Sequence, residues 1–130
     1  MIRAGWLALA GCASPMATQI VPVDSLAWHA NGAGFRAAEL WGDAAHGAHG
    51  TLAQLPAGLV EPAHVHSHVF RVVVLAGTMT YSIAGQVTPA LTAGSYVAIP
   101  AGTVHFAHCL ADAACEVYIE QDGPFDVITR

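Results

Sequence analysis

Hydrophobic and polar residues alternate with a period of two along most of the chain after residue 50. Each alternating segment is short, as β-strands usually are. Gly- and Pro-containing turns such as Pro56-Ala57-Gly58 separate them. This pattern predicts an all-β domain, a sandwich or barrel, without a long helix. The predicted strands are TLAQL (51–55), VFRVVVL (69–75), TMTYSI (78–83), SYVAI (95–99), TVHFAH (103–108) and EVYIEQ (116–121).

The region before these strands is less regular. Residues 29–50 are rich in Gly, Ala and His and predict one strand around Phe35 to Leu40, followed by a long loop. Neither an internal repeat nor a second domain is visible. A chain of 130 residues suits a single core, so we predict one domain over residues 29–130.

The N-terminus has the features of a secretion signal. Arg3 precedes a short apolar run from Ala4 to Ala10, and LAGC then resembles the lipobox of bacterial lipoproteins, which are cut before a lipidated cysteine. We interpret residues 1–11 as a lipoprotein signal peptide, Cys12 as the lipidation site and residues 12–28 as a tether. The domain would then be lipid-anchored in the bacterial cell envelope, facing the periplasm or outside. The alternative is a disordered or loosely helical leader with an incidental cysteine.

Two further cysteines, Cys109 and Cys115, flank the five residues LADAA. This layout predicts a hairpin with a short loop, whose cross-strand partners lie within disulfide range. Outside the cytosol disulfides persist, so we predict a Cys109–Cys115 bridge. Two free buried thiols, or a Cys–His metal cluster that uses Cys109, are the alternatives.

Charge excludes some classes of partner. The chain has four arginines, no lysine and a formal net charge of −5. Without a basic patch it cannot neutralise a run of phosphates, so we exclude nucleic acid as a partner. No apolar stretch is long enough to span a bilayer, so membrane contact rests on the lipid at Cys12.

Histidines carry the candidate chemistry. His64, His66 and His68 alternate, so on a strand they share one face with Phe70. A metal site needs a further ligand from elsewhere, and His105 in the block GSYVAIPAGTVHFAH supplies one. His108 would face away from His105, and His29, His46 and His49 would be solvated in loops.

These two blocks resemble the two motifs of the cupin superfamily. Gly58, His64, His66 and Gly77 match the first motif; Gly94, Pro100, Gly102 and His105 match the second, and Cys109 stands at its usual asparagine. The resemblance covers about residues 51–121 and implies a double-stranded β-helix, the jelly-roll barrel. It also implies a metal site of His64, His66 and His105, and a homodimer paired through sheet edges.

One departure concerns the glutamate that usually completes the cupin ligand set. Phe70 occupies its place, and the neighbouring Arg71 cannot bind a metal. Three interpretations stay open. The three histidines bind metal alone; His68 is a fourth ligand or supports the others; or the site holds no metal and forms a polar pocket.

A narrower resemblance points to the small bacterial cupins of unknown function (DUF4437-like). It rests on ELWGD (39–43), LPAG (55–58), HVHSHVFRVVVLAGTM (64–79), the cysteine pair and EQDGPFDVI (120–128). In that group an aromatic residue followed by arginine is common at the Phe70 place, and no reaction is established. We expect Phe70, Arg71, Tyr81 and Tyr118 to line the pocket. Glu116 and Glu120 are expected to be solvated.

The combined hypothesis is an envelope cupin that binds a divalent metal (Zn, Ni, Mn or Fe) through its histidines and acts on a small molecule, as a metalloenzyme of unassigned reaction. Nitrogen ligands alone do not identify the metal. One alternative is a cupin-type dioxygenase or isomerase, which requires an acidic ligand that the expected position lacks. The other is a metal-free small-molecule binding or sensor module.

Overall fold

The computed structural model describes residues 17–130. Within them, eleven β-strands and a single 3-10 turn at Val23–Ser25 are present. The seven predicted segments are strands, whereas Val60–Val65 and the two-residue strands His29–Ala30, Gln86–Val87 and Ile128–Thr129 were not among the predicted ones. In chain order the strands are β1 (His29–Ala30), β2 (Arg36–Gly42), β3 (His49–Leu55), β4 (Val60–Val65), β5 (Phe70–Ala76), β6 (Met79–Ile83), β7 (Gln86–Val87), β8 (Tyr96–Ile99), β9 (His105–Cys109), β10 (Cys115–Gln121) and β11 (Ile128–Thr129).

The strands form two antiparallel sheets. The larger has the order β1-β2-β3-β10-β5-β8, and the smaller has the order β11-β4-β9-β6-β7. Consecutive strands repeatedly fall in different sheets, so the chain crosses between the sheets, as it does in a jelly roll. The predicted all-β jelly-roll fold is confirmed.

The core lies between the inner faces of the two sheets. Along β10, Val117 and Ile119 are buried, whereas Tyr118 between them is only half-buried on the opposite face. Complete burial of an aliphatic side chain of this size stabilises the fold by about 1.5–3 kcal/mol. The other core side chains include Val72, Val74, Ile99, Met79, Tyr81 and Ala107.

The disulfide joins the two sheets. Cys109 and Cys115 form the expected bridge, with Cα atoms 5.9 Å apart. The predicted hairpin is wrong, however, because Cys109 ends β9 in the smaller sheet and Cys115 begins β10 in the larger one. The five-residue loop carries the chain across the barrel. His105 begins β9, so the bridge lies about 13 Å along that strand from the histidine.

Residues 17–28 were predicted as part of the tether. They contain the 3-10 turn, and the ring of Trp28 lies 4.7 Å from the guanidinium carbon of Arg36 on β2. The proposed signal peptide and Cys12 lie outside the described residues. No helix within residues 17–130 has the length and hydropathy needed to cross a membrane.

Candidate metal centre and its cavity

Three histidines from two adjacent strands meet at one end of the barrel. His64 near the end of β4 lies opposite His105 at the start of β9, and their ring centroids are 4.2 Å apart. His66 follows β4, with its ring 4.9 Å from that of His64 and 5.2 Å from that of His105. One ligand atom from each lies within 4.8 Å of the other two. The sequence-predicted histidines are therefore brought together.

The ring orientation of these histidines is set by the backbone. Nδ1 of His64 lies 2.7 Å from the Pro62 carbonyl, and Nδ1 of His105 lies 2.9 Å from the Thr103 carbonyl. Nδ1 of His66 contacts the Asp126 carbonyl. A carbonyl oxygen can only accept, so each ring carries its proton on Nδ1 and leaves the Nε2 lone pair free, as a metal ligand requires.

Two of these free nitrogen atoms, Nε2 of His66 and Nε2 of His105, are buried without a hydrogen-bond partner among residues 17–130. Leaving such a buried group unsatisfied costs about 1–3 kcal/mol. A divalent cation coordinated by these nitrogens would compensate for that cost, so the residues present fit a metal ion.

Burial favours the neutral form of two of the imidazoles, those of His66 and His105. Desolvation lowers the pKa of His66 to about 4, although the hydrogen bond to the Asp126 carbonyl acts in the opposite direction. The pKa of His105 is lowered as well, mainly by desolvation. Neutral imidazole is the form that binds metals, so the two histidines need not lose a proton at neutral pH.

Phe70, which stands at the place of the usual glutamate in the sequence motif, lies against the histidine cluster. Its ring stacks on His66 at 4.4 Å with an interplanar angle of 17°. The side chain is buried and faces the cluster, so no carboxylate reaches the histidines from β5. The candidate ligand set is thus three nitrogen atoms without an oxygen.

His68 does not join the cluster. Strand β4 ends at Val65, and the chain bends at Ser67 and His68 before it enters β5 in the other sheet. The alternation that would align three histidines is broken there, and the His68 ring packs against Gly123. The prediction of His68 as a direct ligand is therefore wrong.

Two of the four predicted pocket residues lie on the outer face. Arg71 alternates with the buried Phe70 and Val72, and its guanidinium pairs with the exposed Asp122 at 2.8 Å. Tyr118 accepts a hydrogen bond from Trp41 and donates one to Glu120, both at 2.8 Å. Phe70 and Tyr81, by contrast, line the narrow inner cavity beside the histidines.

The prediction that His49 is solvated in a loop is also wrong. His49 begins β3 and is fully buried, with Nδ1 3.1 Å from the Gly47 carbonyl and the ring edge-on to Phe125. His46 is exposed and pairs with Asp43, and His29 is exposed on β1. His108 is on the opposite face of β9 from His105, as predicted.

Glu61 is a site residue that the sequence patterns missed. It stands three positions before His64, so on a regular strand the two would face opposite sides. Glu61 pairs with Ala107 and His64 pairs with His105, so three residue steps on β4 lie opposite two on β9. The extra residue defines a β-bulge at Pro62 and Ala63. Glu61 therefore lines the inner cavity with His64. Pro62, which directly follows Glu61, was the available signal of a bulge in the sequence.

The environment of Glu61 is poorly solvated. Burial raises the pKa of its carboxyl group to about 7. Its negative charge in turn raises the pKa of the buried Tyr81, which is shifted chiefly by its own desolvation. Within residues 17–130, Glu61 thus places a titratable carboxyl group in the barrel interior near the histidines.

A wider cavity of about 610 Å³ opens beside the cluster. The segment 29–33, Glu61, His64 and residues of the C-terminal segment 125–129 line it. Phe125 lines this cavity and the inner one, and its ring lies 6.1 Å from that of His66. The C-terminal segment is a second part of the site that the period-two pattern and the histidine motifs did not predict. Asp126 in this segment also accepts a hydrogen bond from the Ser67 amide at 2.9 Å.

The sequence pattern of the family described as "Domain of unknown function (DUF4437)" matches residues 23–129, most of the chain. The chain belongs to the DUF4437 family. No curated protein sequence matches it.

Solved structures similar to this DUF4437 protein include cupins. The polyketide cyclase RemF from Streptomyces resistomycificus has a TM-score of 0.70 at 18% identity, over 87% of this chain and 85% of that one. KdgF from Halomonas sp. gives 0.68 at 16%, over 82% and 94%. An RmlC-like cupin from Shewanella frigidimarina gives 0.68 at 19%, over 84% and 93%. These likenesses establish the cupin fold and leave the chemistry to the site.

Proposed function

We propose that this cupin binds a divalent metal ion through Nε2 of His64, His66 and His105 and presents it to a small molecule in the adjoining cavity. The convergence of three imidazoles whose Nδ1 atoms are already engaged by carbonyls carries the proposal. When bound, a divalent ion on three nitrogens keeps open coordination positions and acts as a Lewis acid. Zinc suits this ligand set best, and Ni, Mn and Fe are the alternatives.

Metal analysis tests the proposal. The chain is purified without a polyhistidine tag, and its metal content is measured by elemental mass spectrometry before and after reconstitution. We expect close to one metal ion per chain and its loss in His66→Ala. His108→Ala is the matched control, because His108 lies on the outer face of the same sheet. Wild-type protein that takes up no metal would contradict the proposal.

The metal-free alternative has one observation in its favour. Phe70 replaces the usual carboxylate and stacks on His66, so the cluster keeps only neutral donors. In that case the protein is a small-molecule binding or sensor module. Retention of cavity ligands by a His66→Ala protein that binds no metal would support this alternative.

The dioxygenase or isomerase alternative rests on the cupin fold alone. An iron oxygenase site of two histidines and one carboxylate needs an acidic ligand, and no carboxylate joins the cluster within residues 17–130. Oxygen consumption by the iron-loaded protein in the presence of a cavity ligand would favour the oxygenase over our proposal.

We also propose that the domain is anchored to the cell envelope by lipid at Cys12, facing the periplasm or outside. Support comes from Arg3, the apolar run and LAGC, and the Cys109–Cys115 bridge is in keeping with an oxidising compartment. In fractionated cells, we expect the wild-type protein in the membrane fraction and the Cys12→Ala protein outside it. The homodimer stays a prediction.

A further inference from the structure

The cavity beside the histidines has an unusual charge pattern. Its polar lining comes from His29, Asn31, Glu61, His64 and Thr129. Among residues 17–130, Glu61 is the sole carboxyl group that lines this cavity or the inner one, and no arginine there lines either. The chain has no lysine. A ligand in this space therefore meets one carboxyl group and no cationic side chain to balance it.

Glu61 lacks a partner of its own. Its raised pKa, about 7, has desolvation as its cause, and no hydrogen bond from residues 17–130 offsets it. A hydrogen-bond donor brought by a ligand would stabilise the carboxylate, because bonds to charged groups are worth more than neutral ones. An anionic group held against the Glu61 carboxylate would be repelled in this poorly solvated space, and that repulsion reduces the attraction that a cation on the three histidines exerts on the same group.

The β-bulge fixes where that donor must lie. It places Glu61 on the same wall as His64, and both residues line the wide cavity and the inner one. A ligand in the wide cavity that approaches His64 therefore lies beside Glu61. The volume of about 610 Å³ is that of a typical small-molecule site.

We propose that Glu61 selects the ligand of this site, and that the ligand is an uncharged molecule with a hydroxyl group beside a second oxygen donor. Its hydroxyl donates a hydrogen bond to the Glu61 carboxylate while its oxygens face the three histidines. Phosphates and carboxylates are disfavoured. This inference rests on the proposed function, because the oxygen donors are held by the cation that the histidines bind.

Acetohydroxamic acid and oxalate separate the two ligand classes. The first is an uncharged molecule in solution with a hydroxyl beside a carbonyl oxygen, and the proton that its hydroxyl gives up on the cation would be held by the Glu61 carboxylate. The second is an anion that offers adjacent oxygens and brings no proton. Each is titrated calorimetrically into the zinc-loaded full chain at about pH 8, so that Glu61 is ionised. The variants are Glu61→Gln and the matched control Glu116→Gln, whose carboxylate accepts a bond from Gln54 on the outer face. Zinc content is measured for every sample.

We expect wild type to bind acetohydroxamic acid more tightly than oxalate. Glu61→Gln should weaken acetohydroxamic acid about tenfold or more and should strengthen oxalate, with zinc content unchanged. Glu116→Gln should behave as wild type. Equal acetohydroxamic acid affinity in wild type and Glu61→Gln, at full zinc content, overturns the role of Glu61 while the metal site stands. Failure of wild type to take up zinc, Ni, Mn or Fe overturns the proposed function and this inference with it.

Discussion

Glu61 makes the folded domain less stable as the pH rises. In the unfolded chain its carboxyl group ionises near the ordinary pKa of 4.5, whereas burial raises the pKa in the folded protein to about 7. Between these values the folded state holds a proton that the unfolded state has released. Glu61 therefore does not change the free energy of unfolding at low pH. Its ionisation lowers that free energy as the pH rises from 4.5 through about 7.

The size of the effect follows from the two pKa values. A difference between 4.5 and about 7 corresponds to roughly 3 kcal/mol once the pH is above both values. Solvent that enters the cavity beside this half-buried side chain reduces this figure, so we expect roughly 2–3 kcal/mol. Glutamine has nearly the same shape and no charge, so Glu61→Gln removes the effect.

The measurement is urea unfolding of the metal-free protein between pH 5 and pH 8, with chelator present and the disulfide intact. We expect the free energy of unfolding of Glu61→Gln to exceed that of wild type by an amount that grows with pH. The lowered pKa values of His66 and His105 change stability in the opposite direction, but they are common to both proteins and cancel in the difference.

Two results would refute this reasoning. If the wild-type and Glu61→Gln profiles stay parallel from pH 5 to pH 8, Glu61 is not desolvated and the bulge does not place it in the barrel. If Glu116→Gln on the outer face gives the same growing difference, the cavity is not the cause.

Three further perturbations test other parts of the structure. Phe70→Glu places a carboxylate beside His66, so it should destabilise the metal-free protein by about 3 kcal/mol and raise the retention of Mn or Fe, measured by elemental analysis after reconstitution. Replacement of both Cys109 and Cys115 by Ala should lower the free energy of unfolding by about 2 kcal/mol through loop closure, and metal content should not change because the bridge is far from the histidines. Gly50→Ala should cost about 1–3 kcal/mol and alter tryptophan fluorescence, because a Cβ atom there overlaps the Trp41 indole nitrogen and approaches the Tyr118 hydroxyl; unchanged unfolding would show that this contact is loose.

Local patterns in the sequence were sufficient for much of this protein. Period-two alternation and Gly/Pro turns predict seven of the strands, because the side chains of a strand point alternately to its two faces. The spacing of His64, His66 and His105 within the cupin motifs identifies the cluster, and the cysteine pair identifies the bridge. Each of these features depends on residues close together in sequence or on a motif of fixed spacing.

Tertiary structure decided what surrounds the histidines. The crossing between sheets after Val65 turns His68 away, and the bulge at Pro62 and Ala63 turns Glu61 inward. The C-terminal segment folds back so that the Asp126 carbonyl orients His66. Bulges, crossings and returning segments depend on how distant strands pair, and a one-residue change of register moves a side chain to the other face. The sequence by itself determined most of the longer strands and the three clustered histidines; strand pairing between distant segments determined which other groups face that cluster.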